Sequence, residues 1–132
     1  MIGLDTNVLA RIFVEDDIAQ ARQAREFVAA RCTSQTPGFV DRVALCELVW
    51  VLASVHDYRR GEIAPIIEKL LSSSDLRLED EAAVRAALQA FRTGNVDFAD
   101  ALIGEVNRLR GCDATATFDR RAAKLETFIR VF

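Results

Sequence analysis

Met1-Ile2-Gly3-Leu4-Asp5-Thr6-Asn7-Val8-Leu9-Ala10 opens the chain with an apolar run, an acid, two polar residues and a second apolar run. Met1 to Leu4 reads as a short buried strand. Asp5-Thr6-Asn7 turns the chain, and Val8-Leu9-Ala10 with Ile12-Phe13 begins a short helix. A carboxylate just past the C-terminal end of a strand points into the crevice where open α/β sheets place their ligands. The pattern recurs near the other end, where Asp119 follows the strand-like run Ala114-Thr115-Ala116-Thr117-Phe118.

Between these ends, strand-like and helix-like stretches alternate. Asp16-Asp17 offers an N-cap for a helix through Ile18, Ala21, Ala24, Phe27 and Val28. Cys32 to Gly38 is a loop, and Phe39-Val40 a short strand. Asp41 caps a helix at about 42 to 57, and a further helix runs from about Glu62 to Ser73, with Pro65 tolerable only near its first turn. Leu76-Arg77-Leu78 alternates as a strand does. Asp80 caps a helix carrying Ala83, Val84, Ala87, Leu88 and Phe91, closed by Gly94. Asn95-Val96-Asp97 leads into a helix from Phe98 to about Leu109, with Arg108 and Arg110 near its end, where cations suit the dipole. After the strand at 113 to 118 come a short helix through Leu125 and a last apolar run, Phe128 to Phe132. This alternation predicts an α/β fold with a parallel sheet covered on both faces. No repeat, linker or low-complexity stretch divides the chain, so residues 1–132 read as a single domain.

Composition narrows the class. With 132 residues, 51% of them hydrophobic, the chain can bury a core of its own. No apolar run approaches the roughly 20 residues of a membrane span, and the first residues lack a signal peptide's basic and apolar regions, so a cytoplasmic protein without a membrane partner is expected. Cys32, Cys46 and Cys112 show no paired spacing, which argues for reduced thiols rather than disulfides or a zinc site. The net charge of -3 neither signals nor excludes a nucleic-acid partner. Of the 17 basic residues only Lys69 and Lys124 are lysine. Arginine forks match phosphate well, although genome composition accounts for the bias as readily.

Four acids carry the chemistry: Asp5, Glu47, Asp100 and Asp119. Glu47 is the only acid in a helix whose apolar positions, Val43, Leu45, Cys46, Val49, Trp50, Leu52 and Ala53, cover most of its circumference. A lone carboxylate on such a buried helix needs a cation or a salt bridge to a buried arginine. Carboxylates gathered at strand ends repel unless a cation lies between them, which suggests a divalent metal and phosphate chemistry. Asp97, three residues before Asp100, stands where an N-cap belongs, with a supporting role at a metal as the alternative. Trp50 is expected in the core. His56 reads as a surface or helix-end residue. Arg11, near Asp5, and Arg120 and Arg121, beside Asp119, are candidate phosphate contacts, although exposed arginine is mostly just solvated.

Asp5-Thr6-Asn7 after the first strand, Glu47-Leu48 in a helix, Asp97-Phe98-Ala99-Asp100-Ala101-Leu102-Ile103, and Thr117-Phe118-Asp119 occur in one order. Together they resemble the PIN-domain family, and most closely its VapC-type toxins of bacterial type II toxin–antitoxin pairs, over nearly the whole chain. The resemblance implies a three-layer α/β/α sandwich around a central parallel sheet. It also implies Mg²⁺- or Mn²⁺-dependent endoribonuclease activity, a homodimer and a cognate antitoxin, whose carboxylates Arg11 is then as ready to meet as a substrate phosphate. Matched to the family pattern, Asp5, Glu47, Asp100 and Asp119 form the acidic quartet, with Thr6, Asn7 and Thr117 as supporting polar positions. Mg²⁺ keeps several waters and needs only one or two direct carboxylates. Asp5 and Asp100 are therefore the expected ligands, Asp119 completes the shell or holds a second ion, and Glu47 orients or deprotonates the attacking water.

Three other readings compete. A housekeeping PIN nuclease would lack an antitoxin, and a small upstream open reading frame for a DNA-binding protein would argue against it. A phosphate-signalling domain of receiver type expects an acidic pair after the first strand and a lysine at a later strand end. Here Asp5 stands alone and Lys124 falls on a helix. A silent RNA-binding module is disfavoured by the intact quartet.

Overall fold

The computed structural model describes all 132 residues, and its contacts divide the chain into two compact units, Met1–Glu79 and Asp80–Phe132.

The first unit holds β1 (Ile2–Gly3), α1 (Thr6–Phe13), α2 (Ile18–Arg31), β2 (Gly38–Val40), α3 (Arg42–Ser54), α4 (Arg60–Ser72) and β3 (Leu76–Leu78). Its strands form one parallel sheet in the order β1-β2-β3, with Ile2 beside Gly38 and Gly38 beside Leu76. Gly38 fits closely there: a Cβ would lie 2.9 Å from the Cys32 sulfur and 3.0 Å from side-chain methyls of Leu4 and Leu76, which would have to shift. Each strand returns in parallel through helices, as parallel pairing demands. The unit's core is aliphatic: Leu9, Val40, Leu45, Leu48, Leu52, Ile63, Ile67 and Leu70 are fully buried.

The second unit holds α5 (Glu81–Thr93), α6 (Phe98–Leu109), β4 (Thr115–Thr117), a 3-10 turn (Ala122–Lys124) and β5 (Phe128–Arg130). Its two strands are also parallel, with Thr115 beside Phe128 and Thr117 beside Arg130. Packing between α5 and α6 builds this core, with Phe91 meeting Phe98 edge to face at 5.9 Å. At Gly104 in α6 a Cβ would stand 2.5 Å from the Thr127 hydroxyl and 2.6 Å from the Phe128 ring. Glycine therefore sets how closely α6 approaches β5.

Six helices with wholly parallel pairing are the α/β class that the alternation predicts, consistent with a three-layer α/β/α sandwich. The elements are shorter than expected at their ends. The helix expected at 42 to 57 stops at Ser54, and the strand at 113 to 118 keeps only three residues. α4 begins at Arg60 rather than Glu62, which puts Pro65 in its second turn. There the missing N–H removes an early helical bond, while Glu62 ties the start by accepting the Arg59 N–H at 3.0 Å. No helix is long and apolar enough to cross a membrane, and all three cysteines are free.

Candidate active site

In the first unit, Asp5 stands at the β1–α1 junction. Extended backbone at Asp5 lets its Oδ1 accept the Val8 N–H at 3.0 Å, capping α1. The cap orients the carboxylate and leaves Oδ2 outside any hydrogen bond. Beside it the Thr6 hydroxyl reaches the Ala44 carbonyl at 3.5 Å. This contact ties the junction to α3 one turn before Glu47. Asn7 is exposed. Arg11 is held by Asp16 in an ion pair, so Asp16 serves that pair while Asp17 alone caps α2 through the Gln20 N–H.

Glu47 corrects the sequence reading. It is exposed, without ion pair or hydrogen bond, because α3 is buried on one side only. Leu45, Leu48, Val49 and Leu52 face the core, while Val43 and Trp50 lie 74% and 61% exposed. Residues 43, 47 and 50 share one stripe of a 3.6-residue helix. Trp50 is therefore not core, as its apolar character predicts, but a surface ring one turn from Glu47. His56 is half-buried at the helix end, edge to face with Tyr58 at 6.4 Å.

In the second unit, Asp97, Asp100 and Asp119 interact. Asp97 occupies the N-cap position of α6 but makes no capping hydrogen bond, contrary to the expected cap. Asp100 lies half-buried in the first turn, also without a hydrogen bond. Burial chiefly, then the negative charges of Asp119 and Asp97, push its carboxyl group above its ordinary value. Asp119 is oriented from both sides. Its N–H donates to the Thr117 hydroxyl at 2.9 Å, and its Oδ1 accepts from the Arg121 and Ala122 N–H groups at 2.9 and 2.8 Å. Thr117 thus supports Asp119 through the backbone. Asp80 heads α5 in left-handed backbone and, like Asp97, makes no capping bond of the kind the sequence predicts.

In neither unit do three or more His, Cys, Asp or Glu side chains gather closely enough to hold a metal ion unaided. The donor set nonetheless fits a hard divalent cation. All candidates are carboxylates, two of them in the second unit have no hydrogen bond, and Asp100 sits under the like-charge repulsion that a cation relieves.

The sequence reading passed over Lys124, Arg130 and Phe132. With Arg120 they line a hollow of about 300 Å³ in the second unit. Only the four-residue step from Arg120 to Lys124 hinted at it; Arg130 arrives by strand pairing.

Comparison with known proteins adds a family. A family model described as PIN domain matches residues 2–127. Among curated proteins, the chain is 32% identical over 65 residues to ATP synthase subunit alpha of Cupriavidus metallidurans. It is 31% identical over the same length to those of Ralstonia nicotianae and Ralstonia pickettii. Each match covers 49% of this chain and 13% of the relative. The chain thus spans about an eighth of the curated relatives' length, too small a share to bring over their activity.

Proposed function

Because the chain belongs to the PIN-domain family, a nuclease fold whose members typically use a divalent metal, we propose that it is a metal-dependent endoribonuclease acting as the toxin of a type II toxin–antitoxin pair. Residues 1–132 are read as one nuclease domain. The observation that carries the reading is the gathering of Asp97, Asp100 and Asp119 in the second unit, where burial first, and then the charges of Asp119 and Asp97, raise the Asp100 carboxyl. In the first unit, Asp5 and Glu47 supply solvent-facing carboxylates.

By the family resemblance, Asp5 in the first unit and Asp100 and Asp119 in the second are the carboxylates proposed as ligands of Mg²⁺ or Mn²⁺, which when bound would supply positive charge against the negative charge developing on the phosphate. The chain's own groups do the rest. Backbone N–H groups fix Asp5 and Asp119, so neither must be ordered when the substrate arrives. Thr117 and Thr6 brace the two acids' loops. Glu47, free of any partner, would orient the attacking water or accept a proton from it. Asp97 adds negative charge beside Asp100.

The partners proposed are RNA, a cognate antitoxin and a second copy of this chain, in the cytoplasm. The bare Val43–Trp50 stripe on α3 supports self-association. Trp50 is the sole tryptophan, so its emission should shift to the blue as protein concentration rises. Constant red emission with a monomer in sedimentation would remove this face from any dimer.

The deciding experiment is cleavage of a quenched fluorescent single-stranded RNA with Mg²⁺, with Mn²⁺ and with EDTA, beside Asp100→Asn. Cleavage that needs metal and is lost in the variant is expected. Cleavage that persists in EDTA would overturn the mechanism. A small open reading frame for a DNA-binding protein beside this gene, whose product silences the activity, is expected of a toxin.

A further inference from the structure

We propose that the hollow lined by Arg120, Lys124, Arg130 and Phe132 is a phosphate-binding subsite. It would hold the backbone of single-stranded RNA beside the bond to be cut. The inference rests on the nuclease reading and names the residues that would hold the substrate.

Four observations converge. First, Arg120, Lys124 and Arg130 line one hollow of about 300 Å³, about the lower limit for small-molecule sites and enough for a nucleotide-sized group. Second, none of the three cations pairs with a carboxylate. Elsewhere arginines do so readily, as Arg25 with Glu15 and Arg108 with Glu105. Like charges brought together without an acid raise the local positive potential and attract an anion. Third, Phe132 orders two of them. The guanidinium carbons of Arg120 and Arg130 lie 5.0 and 4.3 Å from its ring centroid, within cation–π range. Such stacking leaves the edges of the guanidinium forks available for phosphate oxygens. Fourth, two residues that line the hollow are tied to the candidate catalytic acid by sequence and by strand register. Arg120 follows Asp119 directly, and Arg130 pairs in register with Thr117, whose hydroxyl accepts the Asp119 N–H.

The location answers an electrostatic need. A chain of net charge -3 with a cluster of carboxylates repels a polyanion. Residues 108–132 reverse that locally, with six of the 17 basic residues and three of the 20 acids. A ribose-phosphate backbone carries one negative charge per nucleotide. One phosphate could lie at the acids with a cation between while the next lies on the arginines.

The test is binding, separate from cleavage. A labelled single-stranded oligoribonucleotide is titrated by fluorescence anisotropy into protein carrying Asp100→Asn, in EDTA, over a range of salt. Adding Lys124→Gln and Arg130→Gln should weaken binding roughly 10-fold. It should also reduce the slope of log affinity against log salt by about 1.4, near 0.7 for each lost phosphate contact. Lys124→Arg with Arg130→Lys keeps the charge and should restore most of both, which separates contact from fold. Inorganic phosphate at millimolar concentration should compete weakly, since a free ion lacks the neighbouring phosphates. Full competition by phosphate alone would make this a free-anion site and overturn the RNA assignment. So would an acidic peptide that binds the hollow where RNA does not. An unchanged salt slope in the double Gln variant would overturn the subsite itself. RNA that binds through these residues but is not cut by the wild-type protein in Mg²⁺ or Mn²⁺ would overturn the nuclease reading and leave the subsite standing.

Discussion

The helices of the two units begin in different ways. In the first unit, Asp5, Asp17 and Asp41 each accept a backbone N–H three residues on, at 3.0, 3.0 and 2.7 Å. In the second, Asp97 and Asp80 occupy N-cap positions without that bond. The first unit therefore uses its helix-starting acids to satisfy the backbone, and Asp5 keeps one oxygen over. Around α6 the second unit leaves two neighbouring carboxylates out of the hydrogen-bond network and sets them against Asp119, and burial chiefly, with these charges adding, raises the Asp100 carboxyl. An acid in a cap stabilises a helix; an acid left unbonded beside its like is destabilising until something positive arrives.

The largest effects should come from removing charge. Asp100→Asn and Asp119→Asn are each expected to cut RNA cleavage about 10- to 100-fold or more, measured as initial rate at saturating Mg²⁺. Asp5→Asn should do the same with an unchanged Tm, because asparagine caps as well as aspartate. Full activity in Asp100→Asn would move the reaction out of the second unit.

Gly104→Ala tests what holds α6 in place. Its Cβ would press on Thr127 and Phe128, and overpacking of this kind costs about 1–3 kcal/mol. A clear fall in Tm is expected; an unchanged Tm would mean that α6 and β5 separate freely.

Removing caps addresses the contrast itself. Asp41→Ala should cost about 1 kcal/mol by chemical denaturation, and Asp97→Ala much less, since no cap bond is lost. Equal costs would mean that Asp97 caps α6 in solution and that the contrast is false. Asp97→Asn should lower cleavage less than Asp100→Asn.

The smallest effect concerns pH. A carboxyl raised in the folded state lets the protein gain stability when it is protonated. The penalty is absent below the ordinary value of 3.8 and sets in as pH rises through the higher folded value. Metal-free Asp100→Asn should therefore melt slightly higher than wild type at pH 7, the effect kept small by solvent screening of a half-buried group. The difference should vanish in acid. A lower Tm at pH 7 would contradict the cost assigned to burying a charged Asp100 beside Asp119 and Asp97.

Much of this molecule follows from local pattern. The strand–turn–helix at Met1 to Phe13, the caps at Asp17 and Asp41 and the alternating parallel class can all be read because period, turn chemistry and capping act over a few residues, whereas Asp5, Glu47, Asp100 and Asp119 are grouped only by their resemblance to the family pattern. Exposure could not be read this way. Val43 and Trp50 are as apolar as Leu48 and Leu52, yet only the latter pair meets neighbours; a side chain's character does not say whether another element covers it. The unbonded state of Asp97, the crowding at Asp100 and the meeting of Arg130 with Arg120 and Lys124 depend on groups brought together by helix packing and strand register, and these only the tertiary structure decided.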